Sequence, residues 1–245
     1  MIPIKGYATF HPLKHCLIGK NFSSEFFKKN IKNTKISDPL RRIADETEED
    51  YQKLDNILKQ ANIQTHRVKF NEDEYQGNYH GRPPVSPRDH FAVIGEKFYA
   101  YQKTNFYGNF LKQIDKKYLS IGNKKINVST ANICRVGKDL FWDIDLLDTK
   151  SDIDFFKNKW TEEGFRVHMS HRGYHSDGSF CVVRPGCIVS LRDVQDYKTE
   201  FPGWDVLYLP DQHWSKVSPF LKMKLKVGGR WWLQGEEHND QLIEF

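Results

Sequence analysis

Two short runs in this chain set side by side the residue types that proton transfer and cation binding require. The first is Tyr174-His175-Ser176-Asp177-Gly178-Ser179, which leads directly into an apolar run from Phe180 to Ser190. If a strand begins near His175, the alternation of side chains puts His175 and Asp177 on one face. An imidazole beside a carboxylate is a proton-transfer group beside a holder of cations. The same tripeptide at a loop–strand junction also reads as a capped turn, and the residues alone leave both readings open. The second run is Pro87-Arg88-Asp89, which ends a Gly-, Pro- and His-rich stretch and precedes the apolar run Phe91 to Ala100.

The elements that must position these residues repeat. Four segments share an apolar strand, a glycine at a turn and a further apolar stretch: His15 to Lys20, Phe91 to Ala100, Ile133 to Trp142, and Phe180 to Ser190. Gly-Lys, Gly-Glu-Lys and Arg-Pro-Gly are turn signals because they supply positive φ or a preset proline φ. A helix-like segment and a final short strand follow several of them. Asp45 to Gln60 spaces Tyr51, Leu54, Ile57, Leu58 and Ala61 by three and four, and Ile63 to Val68 follows as a strand. Ser151 to Glu163 repeats the plan with Ile153, Phe156 and Trp160, stops at Gly164 and resumes as Phe165 to Met169. A looser copy runs from Val194 to Phe201 and then Trp204 to Leu209. Each copy has an apolar face it cannot bury alone, which predicts one α/β domain over residues 1–245, built of ββαβ units around a shared axis.

Composition narrows the classes of function. At 245 residues, 38% hydrophobic and 28% charged, the chain is an ordinary globular protein. It has no apolar run long enough to span a bilayer and no signal-peptide layout, which points to the cytoplasm. A net charge of +5 is modest and its lysines are mostly interleaved with acids; the densest basic run, Lys28, Lys29, Lys32 and Lys35, reads as a solvated surface rather than a nucleic-acid patch, and no nucleic-acid partner is expected. Cys16, Cys134, Cys181 and Cys187 lie in apolar strand-like runs without Cys-x-x-Cys spacing, so they read as buried reduced thiols. No metal-ligand spacing links His11, His15, His66 and His168, and no metal or cofactor is expected. His80 and His90, at the Gly77–Pro87 loop, read as ordinary loop residues ahead of the alternative that they touch substrate. Arg184 belongs to its turn, and Trp231-Trp232 reads as packing.

In order along the chain stand Gly6-Tyr7-Ala8-Thr9-Phe10-His11-Pro12, Pro87-Arg88-Asp89, Thr130-Ala131-Asn132-Ile133-Cys134-Arg135-Val136-Gly137-Lys138-Asp139 and His175-Ser176-Asp177. This ordered set, with the helix start Glu46-Thr47-Glu48-Glu49-Asp50, resembles the amidinotransferase family. Arginine:glycine amidinotransferase is a member of that family, which lies within the pentein superfamily beside arginine deiminases and dimethylarginine hydrolases. The resemblance runs from about residue 5 to the end of the chain. It implies a five-bladed α/β propeller with a guanidine site on its axis, of which about four blades are traceable here.

The resemblance also implies the chemistry. A cysteine thiolate attacks the guanidinium carbon of arginine, ornithine leaves, and the amidino group stays on sulfur until an amine such as glycine's, or water, takes it. Asp89 and Asp177 match the carboxylates that hold the guanidinium in its plane, beside Arg88, and His175 matches the proton shuttle. Two positions depart from the pattern. The carboxylate that steadies the histidine lies in a Phe-Asp-Ala-Ala-Asp type run, which here reads Val128-Ser129-Thr130-Ala131-Asn132, so Ser129 replaces the acid. Removing such an acid costs on the order of 10²- to 10⁴-fold in rate. The nucleophile of the family lies near the C-terminus in a Gly-rich His-Cys context, and this chain reaches Phe245 without one. The expectation is an amidinotransferase-like protein acting on a small guanidino compound, with its last blade and thiolate absent. Such a chain is expected to be oligomeric or completed by another polypeptide. The alternatives are an inactive guanidino-binding protein and a scaffold without a ligand.

Overall fold

Three times the chain folds an apolar run back on itself and then returns with a strand parallel to the second arm. The computed structural model describes residues 1–69, 71–72, 83–100, 107–121, 130–144, 148–170, 180–190 and 197–210. These fall into two compact units. The first is built on Met1–Pro12, Arg88–Thr104 and Leu111–Lys216, the second on Leu13–Pro87, Asn105–Phe110 and Val217–Phe245.

In the first unit, β3 (Phe91–Ile94) pairs antiparallel with β4 (Lys97–Ala100), and β5 (Leu119–Ile121) adds parallel to β4. In the same way β6 (Ile133–Val136) pairs with β7 (Asp139–Asp143), and β8 (Arg166–Ser170) lies parallel to β7. The third copy is β9 (Phe180–Arg184), β10 (Cys187–Ser190) and β11 (Asp205–Tyr208). Gly95 and Gly137 turn the first two hairpins with φ of 59° and 65°, a left-handed conformation that a Cβ resists. The β5 return, which the sequence pattern does not mark, follows the short helix α3 (Gly108–Leu111).

Helix α4 (Lys150–Glu162) carries the chain from β7 to β8. Thr149 caps it, its Oγ1 accepting the Asp152 N–H at 3.2 Å and donating to the Asp152 carboxylate at 2.8 Å. The spacing of Phe156 and Trp160 delivers both to the core, as expected. They pack with Ile94, Tyr99, Ile133, Leu140, Trp142 and Phe165, so one cluster joins the first two sheets. A second cluster of Cys134, Phe180, Val182, Ile188, Tyr197 and Phe201 joins the second sheet to the third. The N-terminal segment then crosses all three sheets. Gly6 bridges to Gly95, Ala8 bridges to Val136, and Thr9 Oγ1 donates to the Val182 carbonyl at 3.1 Å. A Cβ on Gly6 would stand 2.7 Å from Arg135 Nη1 and 2.8 Å from Val93 Cγ1, which is why the segment passes here as glycine.

The second unit departs from the repeat. β1 (His15–Ile18) pairs parallel with β2 (Gln64–Arg67), and among the described residues no antiparallel arm accompanies it. The expected turn at Gly19 is a close approach instead. A Cβ there would lie 1.9 Å from the Val85 carbonyl oxygen, and the Lys20 N–H donates to the Pro84 carbonyl at 3.0 Å. Between the strands run α1 (Ser24–Asn30) and α2 (Thr34–Gln60). The second helix starts at Thr34 rather than Asp45, its first turn capped by the Asn33 side chain, and it carries Pro39 inside it. Its buried face is the early part, Ile36, Leu40 and Ala44, packed on Phe22, Phe26, Phe27 and Ile31. Leu54 and Ile57, expected on the apolar face, are 43% and 62% exposed. Later along the helix, Glu48 accepts the Arg67 guanidinium at 2.8 Å and so ties α2 to β2. No helix among the described residues is long and apolar enough to cross a membrane.

Candidate functional site

The residues singled out for chemistry occupy one recurring place in the first unit, the residues that lead into the opening strand of each sheet. Arg88 and Asp89 belong to a 3-10 turn, Pro87–Asp89, ahead of β3. A second 3-10 turn, Thr130–Asn132, leads into β6 and lies against β3. Residues 171–179 precede β9 at Phe180. Ser129, His175 and Asp177 lie outside the described residues.

Around β3, the Asp89 carboxylate is exposed, and among the described residues no hydrogen bond or ion pair engages it. Next to it His90 is half-buried. Burial makes its ring less basic, against the opposing pull of the Asp89 charge. From the opening strand of the second sheet, Arg135 donates from Nη1 to the Val93 carbonyl and ties β6 to β3 of the first sheet. Burial depresses the basicity of that guanidinium, and the charge of Arg88 adds to the effect while Cys134 opposes it. Asp89 is therefore an exposed carboxylate without a partner among the described residues, while Arg135 is fixed on the Val93 carbonyl.

Sequence reasoning missed two features here. Asn132 is 1% exposed, and its Oδ1 accepts no hydrogen bond among the described residues. Its position immediately before an apolar strand is the one signal that could have marked it. The other is a recess lined by Phe141, Asp143, His168, Ser170, Phe180 and Glu200. Because β6 and β7 are antiparallel, Ile133 faces Trp142, and Asp143 ends β7 beside the turn that starts β6. Asp143 is 3% exposed, and the Ser170 hydroxyl reaches it at 3.4 Å. The recess thus opens at the same end of the second sheet as Thr130–Asn132. On its outer side His168 meets Asp139 at 2.8 Å and stacks on Phe141. Asp139 also takes the Arg166 guanidinium at 2.7 and 2.6 Å.

The four cysteines are free thiols. Cys134 and Cys187 are buried, as expected. Cys16 is half-buried, with its thiol pKa raised by desolvation. Cys181 differs from the expectation and is exposed, because Phe180 and Val182 take the inward positions of β9 and alternation turns Cys181 outward. No cysteine occurs in residues 83–90, 122–132 or 171–179.

No protein-family model matches the sequence, and no curated protein matches it. Solved structures do match. The chain aligns with an amidinotransferase of the saxitoxin biosynthetic pathway from Microseira wollei at a TM-score of 0.69 and 17% identity, over 85% of this chain and 76% of that one. An inosamine-phosphate amidinotransferase from Streptomyces griseus aligns at 0.67 and 14%, over 85% and 76%. A dimethylarginine dimethylaminohydrolase from Pseudomonas aeruginosa, in complex with citrulline, aligns at 0.58 and 10%, over 81% and 77%. The chain has a mixed α/β fold similar to that of these amidinotransferases.

Proposed function

We propose that this chain is an amidinotransferase-like protein that binds the guanidino group of arginine or a related small molecule. The observation that carries this reading is the Asp89 carboxylate, exposed and unengaged at the start of β3 in a chain with this fold. A carboxylate accepts paired N–H bonds in the plane of a guanidinium. In this reading Asp177 supplies the second such acceptor and Arg88 borders the site.

Amidino transfer then follows in two displacements. A thiolate adds to the guanidinium carbon, the carbon–nitrogen bond to ornithine breaks, and His175 gives the departing amine its proton. An amine acceptor such as glycine next attacks the same carbon, His175 takes up its proton, and the carbon–sulfur bond breaks to return the thiolate. Ser129 orients the imidazole by a hydrogen bond but supplies no charge to steady the imidazolium.

A second reading, guanidino binding without turnover, is favoured by a specific observation. Every cysteine of the sequence lies on β1, β6, β9 or β10, and none falls within the three segments assigned to the site. The covalent step on this reading has no nucleophile within the chain.

Incubating the chain with arginine and glycine, and assaying ornithine and citrulline, separates the two. Ornithine marks transfer, and citrulline marks hydrolysis. Arginine binding without either product marks the binding protein. Absence of any arginine-dependent heat in calorimetry sinks both.

A further inference from the structure

Outside the site already described, the second unit brings together two imidazoles that the sequence keeps 51 residues apart. The parallel register pairs Leu17 with His66 and His15 with Gln64, so His15 and His66 are diagonal neighbours on one face of the β1–β2 pair. His15 Nδ1 and His66 Nε2 stand 3.1 Å apart, while the ring centroids are 5.4 Å apart and the planes 18° from parallel. The rings therefore meet head-on, nearly in one plane, in an N–H···N hydrogen bond. Both side chains are half-buried, and the Phe110 ring stands 5.6 Å from that of His66.

We propose that this contact is an acid-sensitive latch on the β1–β2 pair, which holds with one added proton and opens with two. Counting protons gives the behaviour. In the neutral pair one facing nitrogen donates its N–H and the other accepts with its lone pair. A first added proton goes to the outer nitrogen of the donating ring, and the facing bond survives as a charge-assisted one. A second can go only to the accepting nitrogen. Two N–H groups then point at each other and two cations share one contact, which repels them. The pair thus titrates as a unit rather than as two independent rings.

The surroundings leave the two histidines to each other. Alternation turns Thr65 and Arg67 to the opposite face of β2, where Arg67 meets Glu48 and Tyr51 of α2 and Thr65 hydrogen-bonds Asp55, which also takes Lys59. Cys16 turns to the other face of β1, and Lys14 precedes the strand as an exposed residue. Leu17 and Gln64, on the histidines' own face, carry no charge, and α3 has no titratable residue. Burial makes His66 less basic than an ordinary histidine, and the charge of His15 adds to the effect. A depressed folded pKa gives stability that is present above the unfolded value of about 6.5 and is lost as pH falls through the folded one. The backbone bonds at the ends of the pair run from the Gln64 N–H to the Lys14 carbonyl at 2.9 Å and from the Val68 N–H to the Ile18 carbonyl at 3.2 Å. Opening of the latch loosens these.

The latch is independent of the guanidino reading, and its test needs no ligand. Amide hydrogen exchange of the full-length chain, corrected for intrinsic rates, is followed from pH 7 to pH 5.5. Protection at Gln64 and Val68 should fall by up to about tenfold per pH unit below about pH 6.5, one proton being bound on opening. The Phe98 amide, which donates to the Tyr118 carbonyl at 2.7 Å in the first sheet, should not follow it. His15→Gln and His66→Gln each leave one imidazole and lose the difference. Ring NMR of the wild-type chain supplies a readout that needs no variant: the two histidines should titrate in two linked steps, the second below the ordinary value of about 6.5. Two independent titrations at the ordinary value overturn the proposal. So does a folded His66→Gln chain whose Gln64 and Val68 lose protection with pH as the wild type's do.

Discussion

The two units meet the same demand, covering an apolar strand face, by different means. In the first, each sheet opens with a hairpin whose arms are two residues apart in sequence, so pairing is local and the third strand adds to a preformed ladder. In the second, β1 and β2 are parallel and separated by two helices, so their pairing closes a long stretch of chain whose packing α1 and α2 supply. The difference bears on function. The local hairpins hold the residues that precede them, Arg88 and Asp89 before β3 and Asn132 before β6, at fixed and repeated places. The parallel pair instead joins distant residues, and its product is the contact between His15 and His66.

The contrast can be broken by substitution, and the largest effect belongs to the first unit. Trp142 is fully buried between two sheets and α4. Trp142→Ala should cost about 3–5 kcal/mol in denaturant unfolding. A cost below about 1 kcal/mol would mean that the cluster does not hold the sheets together. Leu40→Ala probes the second unit, where the helix pair carries the packing. A loss of about 2–5 kcal/mol is expected, and a silent Leu40→Ala would shift the weight from α2 to the strands.

Gly6→Ala is the next test, since the new methyl meets Arg135 and Val93. Overpacking of this kind costs about 1–3 kcal/mol. If melting is unchanged, the N-terminal segment does not clasp the sheets. The smallest effect is one of pH. Hydrogen bonding from Arg166, aided by His168 and opposed by partial burial, holds the Asp139 carboxyl below the usual carboxylate range. A depressed folded pKa gives stability that is present above the unfolded value of about 3.9 and is lost as pH falls through the folded one. Asp139→Asn should therefore remove a small decline in melting temperature below about pH 4 that the wild type shows. An identical acid limb in both proteins would contradict this.

Legibility followed the same division. The hairpin Ile133 to Trp142 was readable because alternating apolar residues flank a glycine, and both signals are local. The helix before β8 was readable because Ile153, Phe156 and Trp160 share one face and Gly164 ends it, although its Thr149 cap was not. The start of α2 was hidden behind Pro39 and a lysine-rich lead, since a proline inside a helical pattern signals a boundary. Its exposed Leu54 and Ile57 show that periodicity finds a helix without finding which part of it is buried. Gly19 was misread because glycine serves turns and close approaches alike. Asp143 and the two histidines were invisible as partners, since only strand register brings them to their neighbours. Asp89 and Asn132 both precede an apolar strand, but only the charge of Asp89 drew it out as a candidate, because the burial of Asn132 is set by packing that the sequence does not display.

Calorimetric titration of arginine into the wild-type chain and into Asp89→Asn tests the central claim most directly. Charged hydrogen bonds contribute about 1.5–3 kcal/mol, so the variant should bind arginine roughly 10- to 150-fold more weakly while melting as the wild type does. Equal affinity in the two proteins, or no arginine binding by the wild type, would contradict the assignment of Asp89 to a guanidinium site.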